Sequence, residues 1–378
     1  MTFWLFAIFT AVYYISQFMT PDSFLTLPKL NIPSNSGSVE VTAPSNIALV
    51  KYWGKSEGQI PKNASLSFTL SNCLTQTSLS FTEGRDDVPH FEVFVKGQPK
   101  PEFAPKIAIF FKRIEAYMPW IGAFNWRVDT QNTFPHGSGI ASSASGFAAL
   151  AGALMYLEAS WSETPHDQEY WVNKTSFLAR LGSGSASRSI VGPIMHWGKH
   201  PDLTESSDLY ARQMTMGVDP VFTDYKDTIL LVDQGEKEVS STVGHNLMHN
   251  HPFAAQRFQQ AQDNLTKLLG IMSSGDLEGF CHLVESEALS LHAMMMTSNP
   301  SYVLMKPNTL AIINEIRGFR GMHNIPVCFT LDAGANVHLL YPKMYAKEIM
   351  PWVQAELSPL CEGGQFIEDQ VGHGLKKL

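Results

Sequence analysis

The chain has 378 residues, enough for one large or two ordinary domains with real cores. Hydrophobic residues make up 44% and charged residues 16%, which excludes a disordered chain. A net charge of −8 with no long Lys/Arg run excludes nucleic acid as a partner, so an anionic ligand must be held by a small local cluster of cations.

In chain order, Phe3 to Phe18 is almost uncharged and, as a helix, roughly 16 residues long against the ~20 that span a bilayer. It has neither a basic flank nor a small-residue cleavage site, so it is a poor signal peptide. A membrane anchor is the weaker reading. The favoured one is that Met19 is the true start, with 1–18 dispensable for folding and activity. Thr20 to Ser38 is a polar lead-in. Val39, Val41 and Ala43 alternate as a strand does and run into a Pro-Ser-Asn turn. Ser65 to Gly84 reads as two strands, and His90 to Gln98 as another ending in a Lys-Gly turn. Ala104 to Tyr117 is helical, and Phe124 to Asn132 is a strand. From Ala144, Phe147, Leu150, Ala151, Leu154 and Met155 recur at helical spacing, predicting a helix buried on one face. A second helix runs from Glu169 to Leu181. Asp227 to Asp233 is a strand. The last third predicts long helices over Phe253–Met272 and Leu277–Met296, a third over Thr309–Phe319, two strands flanking Asp332–Asn336, and a closing helix from Lys343 to Glu356. Strands with helices over one face suggest an α+β layer, with a boundary near Asp219.

Four cysteines, Cys73, Cys281, Cys328 and Cys361, lack any Cys-x-x-Cys spacing. That argues against a disulfide framework or zinc site and suits a reducing cytoplasm.

Four stretches carry candidate chemistry, each with a plain alternative. "PHGSGIASSAS", from Pro135, feeds a helix N-terminus, where free N–H groups and the helix dipole favour an anion. Ser142, Ser143 and Ser145 add hydroxyls; a capped loop is the equal alternative. "KYWGK" sets Lys51, Tyr52 and Lys55 at a strand end, able to grip a phosphate, although alone it reads better as solvated lysines. "GSGSASRS" (Gly182 to Ser189) holds Arg188 among small residues, either a fork for a carboxylate or phosphate or a linker with an exposed arginine. Asp332 ends a strand as a base, an orienting group or a turn former. Two decoys weigh less. His245, His249 and His251 lack the glutamate of a zinc-protease helix and read as surface or capping groups. The methionines after His292 read as core packing.

Together, "APSNIALVKYWGK", "PHGSGIASSASGFAAL", "GSGSASRS" and "FTLDAGANV" resemble the mevalonate diphosphate decarboxylases of the GHMP kinase superfamily, from roughly Ser38 to the end. The resemblance implies an α+β, two-domain GHMP kinase-like fold. It has an extension (1–37), an ATP-binding ribosomal S5 domain 2-like part (38–219) and a ferredoxin-like part (220–378), with the active site in the cleft. It implies a carboxy-lyase of the mevalonate pathway that uses ATP and Mg²⁺ and releases isopentenyl diphosphate, CO2, ADP and phosphate. Pro135, Gly137, Ser138, Gly139, Ile140, Ala141, Ser142 and Ser143 are then the nucleotide-phosphate residues. Asp332 faces the tertiary alcohol, Arg188 with Ser183 and Ser185 holds the substrate carboxylate, and Tyr52 and Lys55 hold its diphosphate. Lys51 is an added catalytic cation, and Ser241 lies near the transferred phosphate. No protein metal ligand is assigned, and a cytoplasmic homodimer without stable membrane or nucleic-acid partners is expected. Thr242 stands where some bacterial relatives have Arg, which leaves the number of substrate phosphates open; Ile140 replaces the usual Leu. The competing readings are a decarboxylase of the 5-monophosphate, a 3-kinase, and a non-catalytic binding protein of the same fold.

Overall fold

The computed structural model describes residues 19–33, 35–84, 90–135, 140–165, 167–214, 217–235 and 239–378. Its first sheet is built on β1 (Gly37–Val50), antiparallel to β2 (Ser65–Glu83). The first half of β1 alternates buried and partly exposed positions, as a one-sided strand does, and its last eight residues are all buried. That half lies between the two layers of the molecule. Two register shifts, at Pro44/Asn46 and Ala48/Val50, break the ladder where the chain approaches the site.

The two strands expected between Ser65 and Gly84 are one 19-residue strand. No glycine or proline interrupts it, so the chain changes neighbours instead of turning. Ser65–Phe68 pairs with β6 (Ile194–Trp197), and Thr75–Glu83 pairs with β5 (Phe124–Asn132). At the changeover, the Asp369 carboxylate accepts the N–H groups of Ser71, Asn72 and Cys73 at 2.7–2.8 Å. The sheet is completed by β3 (Phe91–Val95), β4 (Gln98–Pro99), β7 (Arg212–Gln213) and β12 (Lys376–Lys377), the last laying the C-terminus on β1.

Over this sheet lie α1 (Ala104–Ile114), α2 (Ser142–Trp161) and α3 (Gln168–Gly182). The expected one-sided burial of α2 is corrected: it is buried nearly all round. Its Ala and Gly residues let neighbours close in; a Cβ on Gly152 would stand 3.4 Å from Val41 and 3.0 Å from Leu375. The one acid in that core, Glu158, is matched by the Lys174 ammonium at 2.7 Å and the Trp120 indole N–H at 3.1 Å.

The second sheet has the order β11–β8–β10–β9, from β8 (Tyr225–Leu230), β9 (Cys328–Leu331), β10 (Val337–Pro342) and β11 (Phe366–Gln370), all antiparallel. Helices lie on both of its faces, not one. Leu230, Phe329, Leu339 and Tyr341 pack with α7 (Pro307–His323) and α8 (Ala346–Trp352). Tyr225, Ile229, Cys328 and Leu340 alternate to the other face, against α5 (Ala254–Ser274), α6 (Leu277–Met296) and β2. The closing helix is shorter than expected: Pro351 lies within α8, and the chain continues as a π-turn over Val353–Leu357. Among the described residues, no helix is long and apolar enough to cross a membrane. Met1 to Phe18 lies outside them.

Candidate active site

Where β1 ends, the polypeptide meets a buried carboxylate. Glu287, on α6 and 0% exposed, accepts the Lys51 N–H at 2.8 Å; its other bonds come from Arg257 and Asn264. The Lys51 carbonyl takes the Asn63 amide at 2.9 Å. Lys51 is therefore no solvated lysine. It is 1% exposed, and its ammonium donates to the Ala48 carbonyl at 2.6 Å. Burial holds its pKa down to about 8, with the charges of Asp332 and Glu287 pulling the other way. Asp332 comes from the second layer, just past β9. Its carbonyl accepts the Gly334 N–H at 2.7 Å and the His292 ring at 3.1 Å, which fixes the turn.

Arg188 lies in a 3₁₀ turn, Gly184–Ser189, and is 3% exposed, so the exposed-linker alternative fails. Its guanidinium donates to Ser65 Oγ at 2.7 Å and, through Nε and Nη2, to Asn46 Oδ1 at 3.3 and 3.2 Å. Asn46 in turn donates to Ser189 Oγ at 2.8 Å and to the Ser185 carbonyl at 3.1 Å. These partners are neutral, so they orient the fork without cancelling its charge. Burial lowers the Arg188 pKa to about 10, and Asp332 is the first group opposing that. The buried Lys51 and Arg188 thus both feel the charge of the half-buried Asp332.

Tyr52 stands beside them. A Cβ on Gly184 would lie 2.7 Å from the Tyr52 hydroxyl and 2.8 Å from Trp197, so only glycine fits. The Tyr52 hydroxyl has no hydrogen-bond partner among the described residues, and burial pushes its pKa up, keeping it a neutral donor. The Tyr52 and Trp53 rings flank the His245 ring with centroids 4.5 and 4.6 Å away, and His245 Nδ1 accepts the Gly54 N–H at 2.9 Å. The expected surface role for His245 is therefore corrected: it is buried, and burial lowers its pKa to about 3, leaving it a neutral brace for the Lys51–Lys55 run. It sits on α4 (Ser241–Leu247), pressed so close to Trp53 that a Cβ on Gly244 would clash at 2.4 Å. His249 is exposed and His251 bonds the Met294 carbonyl at 3.0 Å; among the described residues no group of three or more His, Cys, Asp or Glu could hold a metal ion.

Lys55 and Ser241 lie at the rim. Lys55 is partly buried, and its pKa is lowered by burial and then by the charge of Arg113. Ser241 is exposed at the first turn of α4, one residue after the capping Ser240.

Of the segment expected to bind phosphate, Gly137, Ser138 and Gly139 lie outside the described residues. Pro135 leads in, and Ile140 is buried with its carbonyl held by Ser45 Oγ at 2.6 Å. Ala141 caps α2 in the left-handed region (φ +44°), a conformation a glycine would be expected to supply. Ser142 and Ser143 begin the helix, and Ser143 Oγ is 3.4 Å from Ser183 Oγ, joining α2 to the Arg188 turn. Ser145 is not a ligand donor: it is 0% exposed and bonded to Thr75 Oγ1 at 2.6 Å. Beside this helix N-terminus opens a cavity of ≈ 540 Å³ lined by Phe103, Lys106, Ile107, Asn132, Pro135 and Ser143 among others. The sequence did not show it, because its walls come from five separated segments. Asn46, Ser65 and Glu287 were missed too; of these only Asn46, in the Pro-Ser-Asn turn beside the Lys51 run, gave any local signal.

An α+β fold of two layers, with a loop-fed helix in one and a strand-end aspartate from the other meeting a buried lysine and arginine, defines the GHMP kinase-like class. The chain belongs to the diphosphomevalonate decarboxylase family. Residues 43–210 match the diphosphomevalonate decarboxylase-like N-terminal domain, and residues 228–376 match the mevalonate 5-diphosphate decarboxylase C-terminal domain. The diphosphomevalonate decarboxylase of Saccharomyces cerevisiae is 30% identical over 329 residues, covering 80% of this chain and 78% of the relative. The phosphomevalonate decarboxylase of Haloferax volcanii is 29% identical, covering 77% and 84%. A solved structure described as MDDEF in complex with MVAPP, AMPPCP and magnesium superposes with a TM-score of 0.77 at 26% identity, over 91% of this chain and 99% of that one.

Proposed function

We propose that this enzyme performs the ATP-dependent decarboxylation of mevalonate 5-diphosphate, in the mevalonate pathway of isoprenoid biosynthesis. The products are isopentenyl diphosphate, ADP, phosphate and CO2. The observation that carries this reading is that two buried cations of the first layer, Lys51 and Arg188, both lie within the field of the half-buried Asp332 from the second. A substrate with a carboxylate, a tertiary alcohol and a diphosphate needs such an arrangement, and the related MDDEF structure is in complex with MVAPP, AMPPCP and magnesium.

In this reading Arg188, oriented by Asn46 and Ser65, grips the carboxylate next to Ser183 and Ser185. Asp332 faces the alcohol and accepts its proton or orients it as the oxygen attacks the terminal phosphorus of ATP. Phosphate then leaves with the C–O bonding pair, the C–C pair to the carboxylate becomes the alkene, and CO2 departs. Lys51 stabilises the negative charge that collects at the alcohol oxygen. Phosphoryl transfer rests on positioning and charge, not on covalent help from the protein. The N-terminus of α2 with Gly137 to Ser143 takes the ATP phosphates, and the ≈ 540 Å³ cavity takes the nucleoside. Tyr52 and Lys55 hold the substrate diphosphate, with Ser241 beside the transferred phosphate. Mg²⁺ is usually held by phosphates, waters and one or two carboxylates, and the oxygen donors here (Asp332, Ser142, Ser143) fit an ion that arrives on ATP. When bound it neutralises charge on the phosphates.

The division into 38–219 and 220–378, a cytoplasmic location and a homodimer belong to the same proposal; the four free cysteines suit a reducing compartment. The test is kcat/KM on mevalonate, its 5-phosphate and its 5-diphosphate, each with ATP. The diphosphate should be preferred by at least tenfold; preference for the monophosphate would overturn the substrate assignment.

A further inference from the structure

We propose that Arg113 joins Lys55 in binding the terminal phosphate of the substrate diphosphate, and so selects a diphosphate over a monophosphate. This rests on the substrate reading above and adds to it a residue from α1.

Arg113 is exposed near the end of α1, and its Nη1 donates to the Leu181 carbonyl at 2.8 Å. From there α3 ends through Gly182 and Ser183 into Gly184, over which the Tyr52 hydroxyl lies. The contact is close along its length: a Cβ on Gly182 would meet Phe110, one α1 turn before Arg113, at 3.0 Å. The loop carrying Lys55 is tied to the same helix end, because the Arg180 guanidinium bonds the Gly58 carbonyl. Arg113, Ser183, Tyr52 and Lys55 therefore share a single rim.

Two features of that rim point to an anion. Arg113 is close enough to repel Lys55, and no acidic group among the described residues forms an ion pair with either. The acid nearest to Arg113 in sequence, Glu115, is engaged by Lys112 at 2.6 Å. Two like charges left adjacent are unfavourable until an anion lies between them. In addition, the Tyr52 hydroxyl is buried and without a partner among the described residues, a donor aimed at something not made of protein. The first phosphate lies against Tyr52 and Lys55, the second between Lys55 and Arg113.

The test compares Arg113→Gln and Arg113→Lys with the parent enzyme. The readouts are KM and kcat for mevalonate diphosphate, and competitive inhibition by inorganic pyrophosphate and by inorganic phosphate. Arg113→Gln should raise KM and the pyrophosphate Ki by about tenfold, the order of one charge-assisted hydrogen bond, with the loss falling on KM rather than kcat. The Ki of inorganic phosphate should change less than about twofold, and Arg113→Lys should recover most of the loss. An unchanged pyrophosphate Ki, or a fall in melting temperature with both inhibitors weakened alike, would overturn the proposal and leave Arg113 as a cap on α3. A parent enzyme that decarboxylates only the monophosphate would overturn the substrate reading and this inference with it.

Discussion

Arg188 spends its hydrogen bonds on Asn46 and Ser65 yet keeps its charge, and that separation of orientation from neutralisation makes it sensitive to a conservative change. Arg188→Lys keeps the charge but cannot reach both partners, so turnover should fall at least tenfold while ATP binding is retained; normal turnover in steady-state assays would show that charge alone suffices. Asp332→Asn keeps the shape of the turn, whose bonds use the backbone carbonyl, and should lower kcat by about 10²–10⁴-fold with substrate binding intact. A variant retaining more than about a tenth of the turnover would reduce Asp332 to a turn residue. Lys51 gives a pH signature. Its folded pKa is about 8 against an ordinary 10.5, so between these values the unfolded chain carries the extra proton and stability rises with pH. Below about 8 the whole burial penalty is present. Lys51→Met should therefore raise stability at pH 7 by on the order of 2 kcal/mol, with the gain shrinking towards pH 10, while abolishing turnover. In the parent enzyme kcat should fall as pH passes about 8 and the ammonium is lost; a flat profile from pH 7 to 9 would remove Lys51 from the chemistry.

At the scale of elements, α4 is held by an absence of side chain. Gly244→Ala would put a methyl 2.4 Å from Trp53 and 2.6 Å from the Tyr302 hydroxyl, so α4 and His245 must shift. A loss of about 1–3 kcal/mol is expected, with a change in tryptophan emission and a higher KM; thermal unfolding at parental values would contradict this packing. The elements that could be read from the sequence were those whose pattern is local. β5 and α6 have the predicted bounds, because alternation in the one and an apolar face with an Asp276 cap in the other suffice. The unbroken β2 was not legible, since what carries it across Ser71–Cys73 is Asp369, nearly 300 residues away. The short strands β6, β11 and β12 owe their existence to partners and carry little pattern of their own. In the site, the motif residues were legible by type, but their burial was not: Lys51 and His245 read as surface groups until the second layer covered them.

Across the whole molecule, two buried carboxylates bind the layers together. Glu287 reaches from α6 to the end of β1, and Asp369 reaches from β11 to the bend of β2. Asp369→Ala would orphan three backbone N–H groups and should cost about 3 kcal/mol, with the two halves unfolding at separate temperatures in calorimetry. A single unshifted transition would contradict that coupling. The proposed catalytic cluster exists only because the layers meet, since Lys51 and Arg188 come from the first and Asp332 from the second. The claim that this junction couples phosphoryl transfer to loss of the carboxylate is tested by incubating the enzyme with ATP and mevalonate 5-diphosphate labelled at the carboxyl carbon, and counting labelled CO2 against ADP. The account predicts one CO2 and one phosphate per ADP; ADP released without CO2, or no turnover at all, would contradict it.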